Sequence, residues 1–287
     1  MKTTTPMQQR PPTPGSPCLP PHASLETITT ATKKLPSRVI FHAVQKWGKT
    51  SWAAHAPKPV FICTRGEDGL MTLIDSGELP PTAHFPQCVS SWPELLMCLS
   101  ELVIKESPYK TLVIDTLNGA ERLCHEHVCE KRFGGDWGPG GWLSYGAGPK
   151  AALTEFLDLL KTLDRLREQR GMSIILLCHA APKTVRNPEG NDYDRWEPVL
   201  ERPTANTLAR WADMILFGAF EVVLSGEKDP KKKAKAKGQH RIIRCEPNAM
   251  WEAGNRHGLP SEIECGESAS EAWANFALAL KGEPVTR

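Results

Sequence analysis

The sequence predicts an α/β fold, a mainly parallel sheet with helices on both faces, and three segments carry that prediction. Val39-Ile40-Phe41 is a short apolar run that leads through Ala43-Val44-Gln45-Lys46-Trp47-Gly48-Lys49-Thr50 into a helix-compatible stretch, Thr50 to His55. Thr111-Leu112-Val113-Ile114-Asp115-Thr116 is a continuous apolar run that ends in a carboxylate. Met172 to Cys178 is another, ending at His179. Short aliphatic runs alternating with long helical patterns are what strands buried on both faces of a parallel sheet require.

The elements follow in chain order. Met1 to Ala23 carries Pro6, Pro11, Pro12, Pro14, Pro17, Pro20 and Pro21 among Thr and Gln. Such a segment buries too little apolar surface to offset the entropy of ordering, so residues 1–24 are expected to form a disordered Pro-rich tail and residues 25–287 the folded domain. The tail lacks the continuous apolar core of a signal peptide, and no later segment reaches membrane-spanning length, so a soluble protein without a membrane partner is expected. Leu25 to Lys34 reads as a short helix before the first strand. Pro59 to Thr64 reads as the second strand and empties into Arg65-Gly66-Glu67-Asp68-Gly69-Leu70. Helices over Trp92–Lys105 and Leu117–Phe133 flank the Asp115 strand.

Gly134 to Gly148 is a glycine-rich loop holding Trp137, Trp142 and Tyr145; these aromatics either pin the loop to its own domain or stack on bases. Leu153, Phe156, Leu157, Leu160, Leu163 and Leu166 then recur at helical spacing within Ala151–Arg170. Ala180 to Arg202 has no long apolar run and reads as a long loop, functional or mobile, containing Lys183, Arg186, Arg195 and Trp196. A helix over Pro203–Trp211, a strand over Ala212–Ala219 and a Lys-rich hairpin at about 220–246 follow, and a helix over Ser268–Leu280 closes the chain.

The chemistry begins at the first loop, which fits the phosphate-binding pattern of a P-loop with Ala43 in the first glycine position. A triphosphate needs a concave set of backbone N–H donors, a flexible cation that reaches the β and γ oxygens, and a hydroxyl on Mg²⁺. The loop from Ala43 to Ser51 supplies these through its backbone, Lys49 and Thr50. ATP and Mg²⁺ are therefore the expected cofactors. Asp115, at the end of a buried strand, has the position of the acid that holds the Mg²⁺ shell through water, and it could equally cap the following helix. His179, at the carboxyl end of a central strand, lies where an open α/β sheet forms its ligand crevice, which suits a sensor of γ-phosphate or nucleic acid, the alternative being a satisfied structural histidine.

The formal net charge of +2 excludes the strongly basic balance of a nucleic-acid coat, but the charge is locally uneven. Lys228, Lys231, Lys232, Lys233, Lys235 and Lys237 crowd the hairpin tip, as an arm for a phosphate backbone or as a solvated tip. The nine cysteines are scattered without a C-x-x-C pair, the usage of a reducing compartment. In Cys124-His125-Glu126-His127-Val128-Cys129, a helix would put only His125 and Cys129 on one face, with no second ligand pair at zinc spacing. An ordinary amphipathic helix is the expectation there.

Taken together, the P-loop, Glu67-x-Gly69-Leu70, Val113-Ile114-Asp115-Thr116, the His179 strand end, Trp211-Ala212-Asp213 and Asn255-Arg256-x-Gly258-Leu259-Pro260 resemble the RecA-like P-loop ATPases of bacteriophages and prophages. That group of AAA-type ATP-binding proteins includes single-strand-annealing recombination proteins. The resemblance spans roughly Ile28 to Pro260. It implies a RecA-like core, with a C-terminal β-hairpin extension, in which the His179 strand lies between the P-loop strand and the Asp115 strand. It also implies a homo-oligomeric ATPase that acts on single-stranded DNA in recombination or replication, in the cytoplasm of a bacterium or phage-infected host. Lys49, Glu67 and His179 would be the catalytic residues, Glu67 orienting the attacking water with Asp68 as its neighbouring competitor. Ala43 stands where the family has glycine, and Arg65-Gly66 stands between strand and acid where the family more commonly goes directly from Thr to Glu. Lys183, Arg186, Arg195, Trp196, Lys231, Lys232 and Lys233 form the candidate nucleic-acid set. A nucleotide-gated single-strand-binding module with little hydrolysis, or a P-loop kinase of a small molecule, are the alternative readings.

Overall fold

A computed structural model describes residues 27–30, 32, 34–221, 223–225, 235–237 and 240–284. The Pro-rich tail over 1–24 and the side chains of Lys231, Lys232 and Lys233 lie outside the described residues. The chain divides into a unit over Met1–Lys34 and a larger one over Leu35–Arg287. In the first, the helix expected over Leu25–Lys34 does not form among the described residues. Thr27, Ile28, Thr29, Thr30 and Thr32 are β-branched and lose χ1 freedom in a helix.

The larger unit runs β1 (Arg38–Ala43), α1 (Lys49–Ala54), β2 (Pro59–Cys63), α2 (Gly69–Asp75), β3 (Ala83–His84), α3 (Trp92–Ile104), β4 (Thr111–Asp115), α4 (Leu117–Phe133) and α5 (Ala147–Gln169). It continues with β5 (Ser173–Val185), β6 (Tyr193–Pro198), α6 (Arg202–Trp211), β7 (Met214–Phe220), β8 (Val223–Ser225), β9 (Lys235–Lys237), β10 (Arg241–Arg244), β11 (Gly254–Asn255), β12 (Glu262–Glu264) and α7 (Ala269–Lys281). The sheet order is β12-β10-β7-β1-β5-β4-β2-β3. From β7 to β3 every pairing is parallel, and β10 and β12 add antiparallel strands at one edge. The β5 strand, carrying His179, does lie between the P-loop strand β1 and the Asp115 strand β4.

Strand side chains alternate between faces. Ile40, Ile62, Ile114 and Ile174 pack under α3, α4, α5 and α6, whereas Phe41, Phe61, Val113 and Ile175 pack with α1, α2 and α7. Both faces are apolar, which is why these strands read as unbroken runs. Because the parallel strands point the same way, the residues after β1, β2, β4 and the parallel part of β5 emerge on one edge of the sheet.

Two expectations are corrected here. Ala180 to Arg202 is not a loop: β5 continues past His179 to Val185 and pairs antiparallel with β6, Lys183 opposite Arg195 and Pro182 opposite Trp196. Pro182 and the polar alternation hide the strand signal, and an extension paired on one side carries no continuous apolar run. The cap of α4 is also not Asp115; the Thr116 side chain accepts from the Gly119 N–H.

Candidate functional site

The loop between β1 and α1 is shaped by two left-handed residues, Lys46 at φ 59° and Gly48 at φ 100°. Only the glycine adopts that conformation without steric cost, and alternation of this kind turns successive N–H groups toward one concave side, an anion nest. Trp47 anchors the loop: its ring is buried, meets Phe41 edge-on at 4.8 Å and donates from Nε1 to the Ala219 carbonyl at 3.0 Å. The Arg241 Nε donates to the Trp47 carbonyl at 2.8 Å.

Ala43 is accommodated by the strand beside it. It pairs with Gly218 of β7, and a Cβ added at Gly218 would stand 2.7 Å from the Ala43 methyl. The methyl that replaces the usual glycine hydrogen thus fills space left by a missing side chain next door.

Lys49 is buried at the start of α1, and burial pulls its pKa down, with the Asp115 charge as the leading opposing influence. Thr50 Oγ1 donates to Asp115 Oδ2 at 2.7 Å. Burial pushes the Asp115 carboxyl up to about 6, against the Thr50 hydrogen bond. A hydroxyl and a carboxylate in contact are hard oxygen donors that fit Mg²⁺. Among the described residues no group of three or more His, Cys, Asp or Glu could hold a metal ion, so a cation here would need phosphate and water oxygens as well.

Glu67 approaches from the turn between β2 and α2. His179 Nε2 donates to Glu67 Oε1 at 3.0 Å, and Thr116 Oγ1 donates to the same oxygen at 3.3 Å. The His179 bond holds the Glu67 carboxyl below the usual carboxylate range, against burial. His179 is itself set in place by its N–H, which donates to Asn118 Oδ1 at 3.2 Å. Arg65 is tied to α4: its side chain pairs with Glu126, 2.6 Å to Oε1, and its carbonyl accepts from Arg122 Nη2 at 3.0 Å. Asp68 is the residue before α2 and makes no side-chain cap. Gly48, Lys49, Thr50, Ser51, Glu67, Asp115 and His179 all line one cleft of about 340 Å³.

The candidate nucleic-acid residues divide. Lys183, Arg186, Arg195 and Trp196 sit on the β5–β6 hairpin. Lys183 Nζ donates to the Leu200 carbonyl at 2.8 Å, Arg195 Nε donates to Glu197 at 2.9 Å, and Arg186 is exposed. Trp196 is half-buried with its ring stacked on Phe217 at 5.9 Å. A second cleft of about 340 Å³ joins Lys183 to Glu67, Glu121 and Arg122. In the glycine-rich loop, Trp142 is buried against His125, Phe133 and Trp137, while Tyr145 is fully exposed.

Sequence reasoning misses Thr116, Asn118 and Arg241. Thr116 and Asn118 follow the Asp115 strand, where a helix-cap signature is the legible cue. Arg241 has no motif around it and reaches the loop only through the antiparallel pairing of β10 with β7.

A family model described as an AAA domain matches residues 35–257. Among solved structures, the crystal structure of the RadB recombinase is similar over 83% of this chain and 90% of its own, at 14% identity and a TM-score of 0.44. No curated protein matches.

Proposed function

The chain belongs to the AAA domain family, and from that premise we propose that it is a RecA-like ATPase that binds Mg²⁺-ATP on the Ala43–Ser51 loop and hydrolyses it while acting on single-stranded DNA. The observation that carries this reading is the convergence of Lys49, Thr50, Asp115, Glu67 and His179 on one cleft. Lys49 would stabilise charge on the β and γ oxygens, and Thr50 with Asp115 would hold Mg²⁺, which supplies charge neutralisation for the phosphates. Glu67, kept ionised by His179, would accept a hydrogen bond from the attacking water. Both of its donors fall on Oε1, and no donor among the described residues reaches Oε2, the oxygen suited to that task.

Single-stranded DNA as partner is supported by continuity. The strand that carries His179 runs on into the hairpin that carries Lys183, Arg186, Arg195 and Trp196. A homo-oligomer, a role in recombination or replication, a phage-type origin and a cytoplasmic setting complete the reading and rest on the motif resemblance. Among the described residues no helix is long and apolar enough to cross a membrane. The test is ATP turnover with and without single-stranded DNA across a salt series. Stimulation that declines with salt supports the DNA-linked reading, and turnover indifferent to DNA at low salt rejects it.

A further inference from the structure

Gly48 bends the chain into the nest at φ 100°, but a residue that takes either sign of φ also lets the peptide before it rotate. That peptide joins Trp47 to Gly48. In a planar trans peptide the carbonyl and the N–H point in opposite directions, so the unit has two settings. In one, the Gly48 N–H faces the cleft as an anion donor. In the other, the Trp47 carbonyl faces it and repels an anion.

The Trp47 ring does not choose between them. Its burial against Phe41 and its Nε1 bond to the Ala219 carbonyl fix the side chain, not the plane of the next peptide. Arg241 does choose, because its Nε donates to the Trp47 carbonyl at 2.8 Å. Arg241 is itself held from several sides. It pairs with Phe220 across β10 and β7, its carbonyl accepts from the Cys265 N–H at 3.0 Å, and its Nη1 donates to the Glu267 carbonyl at 3.4 Å. The Gly48 N–H, at the other end of the same peptide, has no acceptor among the described residues.

We infer that Arg241 is a positioning residue of the phosphate loop. By holding the Trp47 carbonyl toward β10, it turns the Gly48 N–H the other way, onto a bound phosphate. The inference rests on the Ala43–Ser51 loop being a triphosphate site. Because Arg241 also lines the phosphate cleft, the test separates the work of its N–H donor from that of its charge.

Arg241→Met keeps an unbranched stem and removes both donor and charge. Arg241→Gln removes the charge but carries an amide N–H as many bonds along the side chain as Nε. Calorimetric affinity of the full chain for Mg²⁺-ATP should fall about tenfold in the Met variant and return to within about threefold of the wild type in the Gln variant. Thermal melts of both check the fold. A Gln variant as weak as the Met variant would assign the effect to charge and overturn the inference, as would unchanged affinity in a folded Met variant.

A second measurement needs only the wild type. Carbonyl-¹³C tryptophan combined with ¹⁵N glycine marks the Trp47–Gly48 and Trp137–Gly138 peptides alone. Mg²⁺-ATP should shift the Gly48 amide signal and leave that of Gly138 in place. A Gly48 signal unmoved by ATP that does bind would overturn the inference and leave the P-loop reading intact. Failure of ATP to bind the wild type would overturn both.

Discussion

His179 and Glu67, far apart in sequence, meet with the imidazole Nε2 donating to the carboxylate Oε1 at 3.0 Å. The bond joins the end of the parallel part of β5 to the turn after β2. It aims Glu67 into the cleft that holds Lys49 and keeps the carboxylate ionised.

Glu67→Gln should therefore leave nucleotide affinity nearly unchanged and cut turnover by roughly a hundredfold or more, because an amide cannot take the proton of the attacking water. Asp68→Asn, one residue along and outside this hydrogen-bond set, should change turnover little. Steady-state phosphate release by the two variants decides the assignment, and the reverse pattern would move it to Asp68.

Ala43 and Gly218 should behave as a coupled pair. Gly218→Ala brings a methyl within 2.7 Å of the Ala43 Cβ and 3.0 Å of Phe41 and Trp47, so it should destabilise by about 1–3 kcal/mol. Adding Ala43→Gly should recover part of that loss. A denaturation double-mutant cycle with no coupling would show that the two side chains do not share this space.

His42 gives a pH signature. It is buried, its Nε2 donates to the Glu252 carbonyl at 2.7 Å, its Nδ1 has no hydrogen-bond partner among the described residues, and burial lowers its pKa from 6.5 to about 4. A depressed folded-state pKa means that stability is fully present above pH 6.5 and is lost as pH falls toward 4. The stability difference between wild type and His42→Gln should shrink by roughly 3 kcal/mol over that window. Asp115, whose raised pKa acts in the opposite sense, is common to both proteins and cancels. A difference constant with pH would mean that His42 titrates normally.

Nucleic-acid binding should separate into two components. Changing Lys231, Lys232 and Lys233 to Gln should flatten the log–log salt slope for single-stranded DNA by up to roughly 2, at about 0.7 per phosphate contact. Trp196→Ala should instead weaken binding by about 1–3 kcal/mol at every salt concentration if a base stacks on the indole. Because Trp196 also packs on Phe217, its melt is measured alongside. Unchanged affinity and slope in both would remove nucleic acid as the partner.

What is legible in the sequence is whatever is local. The P-loop, the buried runs of β1, β4 and β5, and the helix over Leu117–Phe133 are set by contiguous residues, and α4 has the bounds its periodicity implies. The short α2 and β3 escape notice because seven- and two-residue elements carry little pattern of their own. The hairpin at Lys183 and Trp196 escapes it because a strand paired outside the main sheet has no apolar run to announce it. Arg241 and Gly218 cannot be placed from sequence, since their roles exist only once β7 and β10 lie beside β1.

The central claim, that this chain hydrolyses ATP at the Lys49 loop, is tested most directly by phosphate release from Mg²⁺-ATP with the wild type and Lys49→Ala side by side. Lys49 lines the cleft and, in the protein alone, burial disfavours its charge, so the substitution should leave the fold intact. Losing this preorganised charge should cost on the order of 3 kcal/mol or more in the transition state, which abolishes measurable turnover at ordinary enzyme concentrations. A folded Lys49→Ala protein that turns over ATP at the wild-type rate would contradict the account.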